Sequence, residues 1–182
     1  MLNSIFSKST QRVYYPGSYE PLINYLQGKR GDGQDEKNGL FSTIMEVMAF
    51  AACVGLKTNK KADVTDRKDI NVSIFEGNGY GPLLFFIPLA SREEADFYLL
   101  RNGEGEETCI KDFQSYAAGG FYILSEKWKV AGLVTPDVFV EEVIRSLTVP
   151  SHVINDMDAS GFTNSVPSTP ETAGISDPDD IF

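Results

Sequence analysis

The segment between Thr43 and Leu56 restricts the fold more than any other. Thr43 and Glu46 form a T-x-x-E pair, in which the threonine hydroxyl and the glutamate carboxylate each accept from the other residue's backbone amide. An apolar run, Val47 to Leu56, comes directly after it and is apolar nearly all round a helix rather than along one stripe. Such a helix is stable only when surrounded, so the spacing predicts a central buried helix. Gly55 lies close to its end, and Lys57 suits the negative pole of the helix dipole.

Around this helix the chain reads as mainly α. Pro16-Gly17-Ser18 opens a first helix over about Tyr19 to Gln27, with Leu22, Ile23 and Leu26 at helical spacing. Gly28 to Gly39 carries four glycines and alternating charges and reads as a loop. Residues 57–69 are polar and charged. Val72 and Ile74, flanking Ser73, predict a short strand or extended link over Asn71 to Phe75. Gly77 to Pro82 is a turn; Leu83 to Leu89 is apolar and fits a strand or a buried helix, with Pro88 marking an end or a kink. Glu93 to Leu100 leans helical, and Gly103 and Gly105 then break the chain.

Ile110, Phe113, Ala117, Phe121 and Leu124 recur at three- and four-residue steps, which predicts a long helix from about Thr108 to Lys129. Its Gly119-Gly120 pair costs about 1 kcal/mol per glycine relative to alanine. A pair retained there points to close helix packing or a kink. Thr135-Pro136-Asp137 has the cap, N1 proline and early acid of a helix start, and the last helix runs to about Leu147. The expected fold is a compact helical domain with at most a minor β-hairpin, over residues 1–150.

Charge separates this body from the C-terminal segment. Residues 1–150 hold all sixteen basic residues and twenty acidic ones, a net of −4. Residues 151–182 hold six acidic residues and no Lys or Arg, so this segment supplies −6 of the −10 total. It is rich in Ser, Thr, Pro, Asp and Gly, and is expected to be a disordered acidic tail. The acidic balance argues against wrapping nucleic acid through many phosphate contacts, and against an anionic membrane as partner. Aromatics at 12% still supply a core.

Neither Cys53 nor Cys109 belongs to a CxxC pair. Cys53, in the run Ala51 to Gly55, is expected to be a buried small hydrophobe rather than a nucleophile. Met1 to Arg12 lacks a long apolar signal region, and Tyr80 to Ala90 is too short to span a bilayer, so the expected location is the cytoplasm.

Few residues carry recognisable chemistry. The single histidine, His152, lies at the tail junction and reads as solvated. Gly77, Gly79 and Gly81 make G-x-G-x-G, which is neither nucleotide-binding fingerprint. Asp63, Asp66 and Asp69 stand at i, i+3, i+6 and are the carboxylates a metal-dependent nuclease would use, though they read as part of a solvated loop. Glu104, Glu106 and Glu107 read as a solvated run. No metal or cofactor is implied. Lys57, Lys60, Lys61, Arg67 and Lys68 form a basic cluster, offset by the three aspartates, and are the candidate contact patch for a phosphate or an acidic partner.

Two segments carry a resemblance. One is Arg12-Val13-Tyr14-Tyr15-Pro16 with Tyr19-Glu20-Pro21-Leu22, then Phe41, Glu46-Val47-Met48, Ala51-Ala52 and Gly55. The other is Phe113 to Phe121 with Ile123-Leu124. Together they resemble the small proteins associated with Dnd systems, encoded beside DNA phosphorothioation and restriction genes (the "system-associated protein 4" type). The likeness covers most of residues 12–147. It implies a bacterial, cytoplasmic antiphage-defence setting and no established activity. The last residues, Asp177-Pro178-Asp179-Asp180-Ile181-Phe182, are similar to the acidic tip of bacterial single-stranded DNA-binding proteins, without the proline before the terminal Phe. In such a tip the Phe fills an apolar pocket on a partner while the aspartates steer toward its basic rim. Asp177, Asp179, Asp180, Ile181 and Phe182 are therefore candidate partner-binding residues.

The expected function is a non-enzymatic accessory protein that acts by protein–protein interaction with other defence proteins. The alternatives are a metal-dependent nuclease subunit and an acidic DNA mimic. A mimic should concentrate charge on its folded body, and −4 is little. Direct nucleic-acid binding is not expected, and the oligomeric state is open.

Overall fold

The structure, a computed structural model, describes residues 11–29, 39–92 and 103–148. The chain divides into two units after Thr148, and the first holds every described residue. The predicted tail, His152 and the predicted helix at Glu93 to Leu100 lie outside the described residues, as does most of the glycine-rich loop. The order is β1 (Arg12–Pro16), a 3-10 turn (Gly17–Tyr19), α1 (Glu20–Gln27), α2 (Ile44–Lys57), β2 (Arg67–Asn71), α3 (Val72–Gly77), α4 (Leu83–Ala90), α5 (Gly103–Ala131) and α6 (Pro136–Thr148). The fold is mainly α, and β1 and β2 pair as one antiparallel ribbon with Val13 opposite Ile70.

α2 begins where its cap dictates. Glu46 N donates to Thr43 Oγ1 at 3.3 Å, and Glu46 Oε2 accepts from Thr43 N at 3.0 Å and from Ser42 N at 2.5 Å. Glu46 Oε1 also accepts from the Tyr80 hydroxyl at 2.6 Å, tying the cap to the turn between α3 and α4. The Tyr80 bond and those from the Thr43 and Ser42 amides outweigh burial and hold the Glu46 carboxyl below its ordinary value.

α2 is central, and eight of its residues are buried. Its most extensive contact is with α5. At this crossing the two backbones touch. A Cβ at Gly55 would overlap the carbonyl oxygen of Tyr116, and one at Gly120 would overlap that of Ala51. The four-residue spacings Ala51/Gly55 and Tyr116/Gly120 put each glycine against the other helix. Of the two readings of Gly119-Gly120, close packing is the observed one. Cys53, however, is exposed, because it lies on the side of α2 opposite this crossing; Cys109 is the buried cysteine, and both are free thiols.

The rest of the core builds on the pair. Phe75 of α3 meets Phe113 edge to face at 6.0 Å. Tyr19 stacks on Phe121 at 5.7 Å. Tyr25 of α1 packs against Trp128 and Phe139, and its hydroxyl donates to Val134 O at 2.7 Å, pinning the turn between α5 and α6. α6 starts at Pro136, where hydrogen bonds from the Thr135 side chain and the Asp137 and Val138 amides hold the Asp137 carboxyl low.

The elements depart from the sequence expectation in two further places. The strand ends at Asn71, and residues from Val72 onward form a helix. The Asn71 side chain accepts from Ser73 N at 3.0 Å and caps α3, so the Val72/Ile74 alternation is one buried and one exposed helical position. Gly103 and Gly105 do not break the chain but lie in the first turn of α5, which starts five residues before the predicted Thr108. Of the two forms open to Leu83 to Leu89, the helix is the observed one, as α4 with Pro88 inside it.

Gly120→Ala must displace a backbone carbonyl, and overpacking of this kind costs about 3 kcal/mol. Its melting temperature should fall by roughly 6–12 °C. Gly77→Ala, where a Cβ meets nothing, should shift melting by no more than about 2 °C. Glu46→Gln should cost about 1 kcal/mol at neutral pH. Because the folded Glu46 carboxyl titrates below its unfolded value, its contribution is complete above the unfolded pKa and fades as pH falls through the folded one. Wild type and variant should therefore converge in denaturant titrations as the buffer is acidified.

Candidate functional site

The connection between α2 and β2, residues 58–66, is laid as a strap along α5. Thr58 Oγ1 donates to Val54 O at 2.8 Å, and Lys60 N donates to Gly55 O at 2.8 Å. Midway, Ala62 N donates to Ser115 O at 3.0 Å, a carbonyl inside α5. At the far end Gly17 N donates to Asp66 O at 2.7 Å. Gly119 has no room for a Cβ because the Lys60 carbonyl lies against it. Asn59 (φ 49°) and Asp66 (φ 48°) adopt left-handed backbone near the strap's two ends. Asn and Asp are among the residues that do so at least cost.

The predicted contact patch lies on and beside this strap, and its five cations fall into different states. Lys61 Nζ is 2.8 Å from Asp112 Oδ1 and 4.6 Å from the centre of the Tyr116 ring. Asp112 Oδ2 takes Arg92 at 3.1 Å, so one carboxylate closes two cations. Lys68 Nζ is 2.6 Å from Glu20, and that hydrogen bond raises its pKa. Arg67 donates to Val64 O at 3.1 Å and lies 5.7 Å from the centre of the Tyr14 ring. Lys60 Nζ lies 5.2 Å from the centre of the Tyr122 ring, which is 45% exposed. Lys60 and Lys57, both exposed, have no ion pair among the described residues.

An exposed ion pair contributes about 0–1 kcal/mol, and an exposed cation–ring contact about 0.5–1 kcal/mol. These contacts therefore orient the cations more than they hold the fold. The outcome is three cation–tyrosine contacts on or next to a segment whose backbone is fixed. The tyrosines were not legible as a site: Tyr14, Tyr116 and Tyr122 have no common spacing, and only the chain's eight tyrosines hinted at them.

The aspartates proposed for metal do not converge. Asp69 pairs with Arg12, the Asp66 carboxylate lies against Gly17, and Asp63 is exposed. Among the described residues no group of three or more His, Cys, Asp or Glu side chains is arranged to hold a metal ion. The glycine run joins α3 to α4, with Gly79 at φ 81°, and presents Tyr80 to Glu46. The acidic run at the start of α5 is not uniformly solvated. Glu107 pairs with Lys111, but one carboxylate oxygen of Glu106 is enclosed with no hydrogen-bond partner among the described residues. Burial, reinforced by Glu76, pushes the Glu106 pKa up. The tail-tip residues Asp177, Asp179, Asp180, Ile181 and Phe182 lie outside the described residues. No described helix is long and apolar enough to cross a membrane.

Residues 12–147 match the family described as DNA sulphur modification system-associated protein 4. Neither a curated protein nor a solved structure matches the chain.

Asp112→Ala frees Lys61 and Arg92 together and should loosen the strap without unfolding the helices. The Ala62 amide should exchange with solvent roughly five- to tenfold faster, while melting falls by no more than about 3 °C. Hydrogen exchange read by NMR, beside a thermal melt, checks both.

Proposed function

The chain belongs to the DNA sulphur modification system-associated protein 4 family, and from that premise we propose that it is a non-enzymatic accessory protein acting by contact with the system's other proteins. The observation that carries this reading is the strap. Lys60, Lys61 and Arg67 each lie over a tyrosine ring, and the strap backbone is tied to α5 and Gly17. Tyrosine and arginine are the residue types enriched where protein interfaces gain most of their energy. Rigid aromatic rings also bury area at low entropic cost. Lys57 and Lys60 carry charge that no ion pair among the described residues offsets, so the complementary surface is acidic.

The reading includes a helical body over residues 1–150, an acidic tail over 151–182 and a cytoplasmic, defence-linked setting. On sequence alone it also includes a second contact element at Asp177 to Phe182, docking in an apolar pocket with a basic rim on a partner. The nuclease alternative has less to rest on, since Asp69 is engaged by Arg12 and Asp63 is exposed to solvent.

Co-expression with the system's other proteins tests the proposal. Lys57→Glu combined with Lys60→Glu should reduce co-purification of a partner at least tenfold, while loss of the Lys57 charge at the end of α2 and of the Lys60–Tyr122 contact lowers melting by only roughly 2–8 °C and leaves the chain folded. Undiminished co-purification sinks the strap as the contact. Metal-dependent DNA cleavage lost in Asp63→Asn or Asp66→Asn would replace this reading with the enzyme.

A further inference from the structure

A second surface lies away from the strap, where the end of α5 runs beside α6. A cavity of about 390 Å³ opens between them, floored by Ala131, Phe139 and Val143. Val130 on its wall is 87% exposed, and Leu133 in the turn after α5 is fully exposed. Neither residue has a folding reason to be apolar. The turn that carries Leu133 is held in place all the same, by the Tyr25 hydroxyl on Val134.

The charges along this groove are unevenly used. Glu126 closes on Lys129 at 2.7 Å, and Glu141 on Arg145 at 2.8 Å, each within its own helix. Lys127 on the α5 wall and Glu142 on the α6 wall line the groove, and neither has an ion pair among the described residues. Among those residues the walls therefore present one free cation and one free anion on opposite sides of an apolar floor. A foreign partner would need the opposite arrangement. A second copy of this chain has it automatically, because a two-fold axis through the groove sets Lys127 of each copy against Glu142 of the other. The same rotation offers the exposed Val130 and Leu133 side chains to the apolar floor of the facing copy.

We propose that this face is the interface of a homodimer, formed by α5 and α6 of two chains about a two-fold axis, with crossed Lys127–Glu142 pairs around an apolar centre.

Sedimentation velocity of the full chain from roughly 1 µM to 1 mM covers the range of weak to moderate self-association. The expected result is a concentration-dependent shift from monomer to dimer. Leu133→Glu, at a fully exposed position, should raise the dissociation constant at least tenfold with melting measured at high dilution unchanged. Lys127→Glu alone and Glu142→Lys alone should each weaken association, and the two combined in one chain should restore it to within about threefold of wild type. A chain that stays monomeric throughout overturns the proposal. So does a dimer indifferent to Leu133→Glu, or a double variant no stronger than either single one. A system protein that binds this groove while the chain alone remains monomeric also overturns it and makes the groove a heterologous site.

Discussion

Two helix backbones in contact set the terms for the rest of this molecule. Where α2 crosses α5, Gly55 faces Tyr116 and Gly120 faces Ala51, and neither glycine can accept a Cβ. Helices separated by ordinary side chains pack with axes about 8–10 Å apart, and small residues at a crossing let them come closer. That approach gathers dispersion contacts along both helices, with Gly55 set against Tyr116 and Gly120 against Ala51. The remaining elements then have a defined surface to cover. α4, the ribbon and α6 all pack on α5, and α1 packs on α2.

The strap depends on the same crossing. Gly119, next to the contact glycine, clears room for the Lys60 carbonyl, and Ser115 one turn earlier accepts from Ala62. The glycine pair thus works on two neighbours at once, with Gly120 serving α2 and Gly119 serving the strap. A helix with alanine at 119 would keep its propensity and lose the seat of the strap. This explains why a costly pair stands in the middle of the longest described helix.

Much of this was legible from residue pattern. The T-x-x-E cap, the all-round apolar run and the three- and four-residue steps of Phe113, Ala117, Phe121 and Leu124 correspond to α2 and α5. Gly119-Gly120 was legible as close packing or a kink; the choice between them, and the partner, depended on which helix approaches, which is a tertiary fact. Misreadings arose where local signals competed. Val72-Ser73-Ile74 alternates like a strand, yet the Asn71 side chain turns it into a helix. Gly103 and Gly105 lower helix propensity but sit in a first turn, where little is asked of them. Cys53 shares its neighbours' apolar character but faces outward. The basic cluster was visible; the tyrosines beneath it were not, because they come from β1 and α5, far apart in sequence.

Native-state hydrogen exchange over the full chain separates a fold organised at the crossing from one organised elsewhere. If the backbone contact between α2 and α5 comes first, amides around Ala51 to Gly55 and Tyr116 to Gly120 open only with global unfolding. They then share one exchange free energy equal to that measured by denaturant, while the ribbon, the strap and α6 open at lower cost. Protection in α6 or the ribbon that outlasts the crossing would contradict this and move the organising contact away from the two glycines.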